Sequence, residues 1–431
     1  MHFRPLSWVV VAALVTGTAL AGGSNDLPSA RPDSEGISSE RLARLSSGMK
    51  SLVDQGRLAG VVTMVARHGK LVEFDALGKR DLAADAPMQK DSIFRIYSMS
   101  KPITGVAMMM LFEEAKWQLD DPVSKYVPEF ANLKVYGTDE HNNMMLKEPT
   151  HPVTMRELMS HSGGFTYGYF SNTPVDKLQR EADLFNVNNT LDEFIKRVAK
   201  LPLNAQPGSE WHYSISVDIQ GYIVQKLSGM PFEEFLEKRI FKPLGMRDTG
   251  FYVPKEKLNR LAQFYTYDTA GKLLALKTTE GFNHDFAAKP ALASGGGGLV
   301  STASDYMRFC QMLLNGGQLN GVRLLSPRTV ELMRTNVLPP NIPSTLGPGT
   351  EFGLDFAVYT DPVAAGGYYG KGTYFWGGAA GTWFWIDPVS DLIVIGMIQQ
   401  AAGTGAAAAV GVPDMRGVSH ALVYGSIIDD K

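Results

Sequence analysis

A single cysteine, Cys310, is all that this chain of 431 residues carries. It leaves no intramolecular disulfide framework and no cysteine-based zinc site. Cys310 shares helical spacing with Tyr306, Phe309, Leu313 and Leu314, so it reads as a small core residue and not as a catalytic thiol. The eight histidines are scattered, with no H-x-x-x-H or H-x-H pair, which gives a metal site no support. A surplus of one charge is also missing: 41 Lys and Arg stand against 44 Asp and Glu, a formal net charge of -3. Sequence-independent nucleic-acid binding needs a basic excess to displace counterions, and none is present. Glycine is frequent, at 44 residues, but follows no fixed period, so collagen-like and low-complexity readings fail. No G-x-S-x-G occurs; the nearest text, Gly417-Val418-Ser419-His420-Ala421, falls in a predicted final helix. The run Gly295 to Gly298 has no following G-K-[ST], so it is a turn and not a phosphate loop.

What is present is an ordinary globular balance, 44% hydrophobic and 10% aromatic, with ample material for a buried core. The segment Trp8 to Leu20 is mostly apolar, follows Arg4, and ends in the A-x-A site Ala19-Leu20-Ala21. Residues 1–21 are therefore expected to be a signal peptide, with the mature protein exported to a periplasm or the medium. The apolar run is too short to span a bilayer, so no stable membrane insertion is expected after its removal.

Residues 38 to 55 place Leu42, Leu45, Met49, Leu52 and Val53 on one helical face. Gly60 to Ala66 and Leu71 to Leu77 flank Arg67-His68-Gly69-Lys70 and read as a hairpin. Near the other end, Phe352 to Val358, Thr382 to Ile386 and Leu392 to Ile398 read as strands, and Met415 to Tyr424 as a helix. Between them, residues 99–116, 154–160, 190–201, 214–240 and 302–315 show helical periodicity. Residues 401–412, rich in Ala and Gly, read as a mobile loop. The expected fold class is α/β of the α+β type: an antiparallel sheet flanked by N- and C-terminal helices, with a mainly helical insertion. Residues 30–95 and 300–431 form the discontinuous α/β domain in this reading, and residues 96–299 the helical one.

Three positions carry chemistry. Ser98-Met99-Ser100-Lys101 is an S-x-x-K at a predicted helix start, which puts hydroxyl and amine on one face, one turn apart. A serine hydroxyl needs a neighbouring base, and a lysine amine near a helix N-terminus, where positive charge is disfavoured, can serve. Tyr213, within Trp211-His212-Tyr213-Ser214-Ile215-Ser216, sits at a loop-to-helix junction where a phenol can shuttle a proton. Trp376-Gly377-Gly378-Ala379-Ala380-Gly381 precedes a strand, and glycines there let a backbone N–H approach a ligand closely.

Taken together and in this order, these elements resemble the penicillin-recognising serine hydrolases of class C β-lactamase fold, and most of all the bacterial carboxylesterases of family VIII. The resemblance spans nearly all of the expected mature chain. Softer matches are Leu158-Met159-Ser160-His161-Ser162-Gly163-Gly164 and the stretch from Ser294 to Thr302. By that resemblance Ser98 is the acylated nucleophile, Lys101 and Tyr213 share proton transfer, and the N–H groups of Ser98 and Ala379 form an oxyanion hole. Trp376, Gly377 and Gly378 border the substrate. No cofactor and no metal is implied.

Two departures from the β-lactamase pattern direct the substrate expectation. Ile215 stands where a lactamase has the asparagine of its tyrosine motif, and Trp376 where it has the lysine of K-T-G. Both exchange polar recognition for apolar surface. Tyr167, Tyr169, Phe170, Phe375 and Trp383 are candidates to border the cleft. The expectation is a serine hydrolase cleaving small-molecule carboxylic esters, short-chain acyl esters foremost. The alternatives are a β-lactamase or D-amino-acid peptidase, or a non-catalytic penicillin-binding-like protein, on the same scaffold. Oligomeric state is beyond the sequence.

Overall fold

The computed structural model describes residues 26–277, 284–340, 342, 345–401 and 413–429. The expected signal peptide and residues 402–412 of the predicted loop lie outside the described residues.

Eight strands form one sheet: β1 (Gly60–Arg67), β2 (Lys70–Asp81), β3 (Ala86–Pro87), β4 (Thr350–Phe352), β5 (Ala357–Tyr359), β6 (Tyr374–Gly377), β7 (Trp383–Asp387) and β8 (Leu392–Met397). Their spatial order is β4-β5-β6-β7-β8-β1-β2-β3, every neighbour antiparallel. Chain ends meet at its centre, where Val62 of β1 lies opposite Met397 of β8 and Arg67 opposite Leu392.

Both central strands are buried along their whole length, because helices cover both faces of the sheet. Helix α1 (Ser39–Asp54) packs on β2 and on the last helix, while the helix Ala303–Leu314 packs on β1, β7 and β8. Alternation along β2 separates the two faces. Asp75 bonds Ser46 of α1, whereas Phe74 borders a small cavity with Met307 of the other helix. Cys310 lies in that second helix, fully buried, and burial pushes its thiol far up.

Helix α2 spans Ser100–Glu113 and packs on a later helix. It is buried on every side from Ser100 to Leu111, Met108, Met109 and Met110 included, as a helix enclosed by other elements must be. That later helix is α6 (Ser216–Ser228), which in turn meets α3 (Met155–Met159) and α5 (Leu191–Val198), while α4 (Pro174–Glu181) lies between α3 and α5 in the chain. Among the described residues no helix is long and apolar enough to cross a membrane.

Several elements depart from the sequence pattern, the unread helix Pro327–Met333 among them. The expected strand from Phe352 to Val358 is the tip of a hairpin: β4 ends at Phe352, β5 starts at Ala357, and Asp355 turns the chain with φ of 63°. The expected helix over 214–240 breaks where Gly229 (φ 72°) closes α6 and Pro231 starts a new helix at Phe232. Residues Tyr374–Gly377 form a strand of their own, β6, hidden from pattern reading because it is buried on both faces and only four residues long. The pattern also passes over helix α4, although Thr173 and Asp176 make a reciprocal cap at its start.

Candidate active site

Ser98 sits in a single 3-10 turn, Tyr97–Met99, that leads into α2. The preceding Tyr97 has φ of 41°, a left-handed conformation that side chains seldom adopt and that the surroundings must hold in place. Three contacts do so. The Ile96 N–H donates to Leu299 O (3.0 Å), the Leu299 N–H to Ser100 Oγ (3.1 Å), and the Tyr306 hydroxyl to Met99 O (2.9 Å).

One turn on, Lys101 is buried, with its Nζ 3.5 Å from Ser98 Oγ and donating to Gly296 O at 2.7 Å. Its Nζ lies 4.6 Å from the centre of the Tyr213 ring and 5.1 Å from that of Tyr167. These two rings stack at 5.5 Å. From the sheet side, the Trp376 indole Nε1 donates to the Tyr213 hydroxyl oxygen at 3.3 Å. The structure thus brings Ser98, Lys101, Tyr213 and Trp376 to one place from three elements far apart in sequence.

Trp376 and Gly377 end β6, and the turn that follows is closed by Gly378 N–H to Thr382 O and Gly381 N–H to Gly378 O. Gly378 has to be glycine: a Cβ there would lie 2.4 Å from Ile96 O and 2.3 Å from Thr382 Oγ1. This close approach sets Ala379 beside the Ser98 turn. The N–H groups of Ser98 and Ala379 make no hydrogen bond to another described residue, so both are available to an oxygen between them.

Two carboxyl groups and one imidazole complete the buried shell. Asp218 Oδ1 accepts from Ser294 Oγ and from the Gly296 N–H (3.1 Å), and Asp355 Oδ1 accepts from Gln220 (3.1 Å). Burial pushes both carboxyls above the usual range, against the pull of the Lys101 charge. His161 Nδ1 accepts the Ser214 N–H at 3.2 Å, and its ring centre lies 5.0 Å from that of Tyr213. Burial, then the Lys101 charge, holds that imidazole neutral. His212 instead pairs with Glu210 near the surface at 2.6 Å.

Two cavities meet at Ser98. The first, of about 530 Å³, has aromatic walls from Tyr167, Tyr169, Phe170 and Phe185 and is also bordered by Ala379. The second, of about 450 Å³, contains Tyr213, Trp376, Gly377, Ala379 and Phe375. Of the five aromatics expected at the cleft, Trp383 alone does not reach it. It is buried against Gly396, where a Cβ would come within 1.9 Å of its ring. Ile215 is fully buried at the start of α6.

Sequence reading missed Asp218, Asp355 and Arg416. Asp218 has the appearance of a first-turn helix acid, Asp355 of a strand residue, and Arg416 of a surface position on the last helix (Met415–Tyr424). Arg416 nevertheless lines the second cavity, its guanidinium 4.6 Å over the Phe375 ring. The second cavity thus holds a cation from the last helix and an indole at position 376.

Comparison with known proteins follows the same outline. The chain is 36% identical to protein Rv1367c of Mycobacterium tuberculosis, over 85% of this chain and 92% of that one. It is 31% identical to esterase EstB of Burkholderia gladioli, over 82% of this chain and 89% of that one. The solved structure of EstCE1, a hydrolase with promiscuous acyltransferase activity, superposes with a TM-score of 0.70 at 29% identity, covering 87% of this chain and 98% of that one. The profile of the Beta-lactamase family matches residues 45–411. The chain belongs to the Beta-lactamase family, with the serine-hydrolase scaffold its motifs resemble.

Proposed function

We propose that the protein is an exported serine esterase that cleaves small carboxylic esters, short-chain acyl esters foremost, through an acyl-enzyme. The observation that carries this reading is the position of Lys101 Nζ, 3.5 Å from Ser98 Oγ and against the face of Tyr213. In this scheme Ser98 Oγ attacks the ester carbonyl carbon while its proton passes to the Lys101–Tyr213 pair. The carbonyl oxygen, now negative, accepts the N–H groups of Ser98 and Ala379. Collapse breaks the bond to the alcohol oxygen, which leaves with the proton returned by Tyr213. Water then attacks the acyl carbon, activated by the same pair, and releases the acid and free Ser98. An alcohol in the second cavity can replace that water, which makes acyl transfer a companion activity. The names of EstB and EstCE1 support this chemistry. Export rests on the sequence of residues 1–23.

The buried Ile215, which offers no hydrogen bond to a lactam's amide, favours esters over β-lactams. Covalent labelling by a fluorophosphonate, lost in Ser98→Ala, is the expected result. An unlabelled native protein, or faster turnover of a chromogenic cephalosporin than of a short nitrophenyl ester, contradicts the proposal.

A further inference from the structure

Phe170 borders both cavities at Ser98 and also a third, of about 380 Å³, that Tyr213 lines too. Its side chain is 61% exposed, so it is not core packing. The ring stands edge-on to Tyr213 and to Tyr167, at 5.4 Å from each. Among the described residues no other lines all three.

An exposed aromatic on a loop defines a wall only if the loop is held, and this one is. Asp176, at the start of α4, is fully buried and accepts five hydrogen bonds from the segment that carries the ring. The donors are Thr166 Oγ1, the Gly168 N–H (3.2 Å), Ser171 Oγ (2.6 Å), the Thr173 N–H (2.8 Å) and Thr173 Oγ1 (2.8 Å). Arg180 fastens the same loop from outside, donating to Gly168 O and to Asn172 Oδ1 (2.9 Å). Burial pushes the Asp176 carboxyl up, but the bonds from Ser171, Thr166 and Thr173 outweigh it and pull it down to about 2. The carboxylate is thus the fixed centre of the loop at any working pH.

The two sides of the wall are not equivalent. Tyr213, which returns the proton to the leaving alcohol in the proposed reaction, lines the second cavity and not the first. The alcohol portion belongs in the second cavity, and the acyl chain in the aromatic first one.

We propose that Phe170 is the specificity-determining partition between the acyl and alcohol chambers, and that Asp176 is the positioning residue that holds it there. The proposal rests on the esterase reading above. With the partition in place, an acyl chain is confined to the first cavity; without it, the chain gains the space beside Trp376.

The test is kcat/KM for nitrophenyl esters from acetate to decanoate, in the native protein, Phe170→Ala, Asp176→Asn and the double variant. In Phe170→Ala the decanoate-to-acetate ratio is expected to rise by about tenfold or more, the scale on which a pocket wall discriminates chain size. Asp176→Asn shifts the ratio in the same direction, and adds nothing to Phe170→Ala in the double variant. A role in supporting Tyr213 alone lowers every ester by one common factor; that result, or an unchanged ratio, overturns the partition. If Asp176→Asn does not fold, Ser171→Ala removes one bond at lower cost, and an unshifted ratio there overturns the positioning role. A native protein that hydrolyses no ester and takes no fluorophosphonate overturns the esterase reading and the partition together. Native turnover with an unmoved ratio overturns the partition alone.

Discussion

The Trp376 indole donates its single N–H to the hydroxyl oxygen of Tyr213, 163 positions away in sequence, at 3.3 Å. A K-T-G lysine would place a charge where this chain places one directed hydrogen bond on an aromatic plate. Trp376→Phe keeps the plate and removes the donor. The expected outcome is a fall in kcat of about three- to tenfold, the value of roughly one hydrogen bond, with thermal stability little changed. Steady-state kinetics on a short nitrophenyl ester and a melting curve check it.

Lys101→Ala and Tyr213→Phe are each expected to lower kcat by about two to four orders of magnitude, the usual scale for losing a positioned acid–base group. The double variant should lose much less than the product of the two, because both groups handle the same proton. Additive losses in single-turnover acylation would show that they act on separate steps.

Arg416 is the sole charged side chain among the described residues lining the second cavity. An ester with a carboxylate in its alcohol portion should therefore be preferred over its neutral methyl ester. Arg416→Met is expected to reduce that preference by about three- to tenfold, with neutral esters unaffected, in keeping with a partly exposed ion pair. The native preference should shrink as salt is raised. A preference unmoved by both changes places the alcohol portion elsewhere.

Glu73 supplies a test away from the site. Burial, reinforced by the charge of Asp75 and opposed by the Thr63 hydrogen bond, pushes its carboxyl up to about 7 from an ordinary value of 4.5. The folded state thus binds this proton more tightly than the unfolded state. The cost of ionising Glu73 is absent below pH 4.5, grows as pH rises, and is complete above about 7. Glu73→Gln keeps an oxygen for Thr63 and removes the charge. It should stabilise the protein by about 1–3 kcal/mol at pH 8 and by little at pH 4.5. Thermal melts at the two values check the sign; equal shifts at both would mean that Glu73 does not titrate in this range.

The sequence by itself determined the pieces whose information is local. S-x-x-K spacing places Ser98 and Lys101 one helical turn apart wherever that helix sits, and the glycines around Ala379 announce a close backbone approach. Periodicity likewise located α1, α2 and the central strands within a few residues, and the start of α6 but not its end. Short segments with nonlocal partners were not legible. Asp355 reads as a strand residue because only its contact with Gln220, 135 positions away, and its left-handed backbone make it a buried acid near Lys101. Trp383 and Phe375 have the same alternating context, yet their neighbours across the sheet put one in the core and the other in the cleft. Only the tertiary structure decided that Trp376 donates to Tyr213, that Arg416 lines the second cavity, and that Asp176 pins the loop carrying Phe170. Each of these is a distance between elements. The packing of helices on the sheet sets such distances, and no spacing along the chain encodes them.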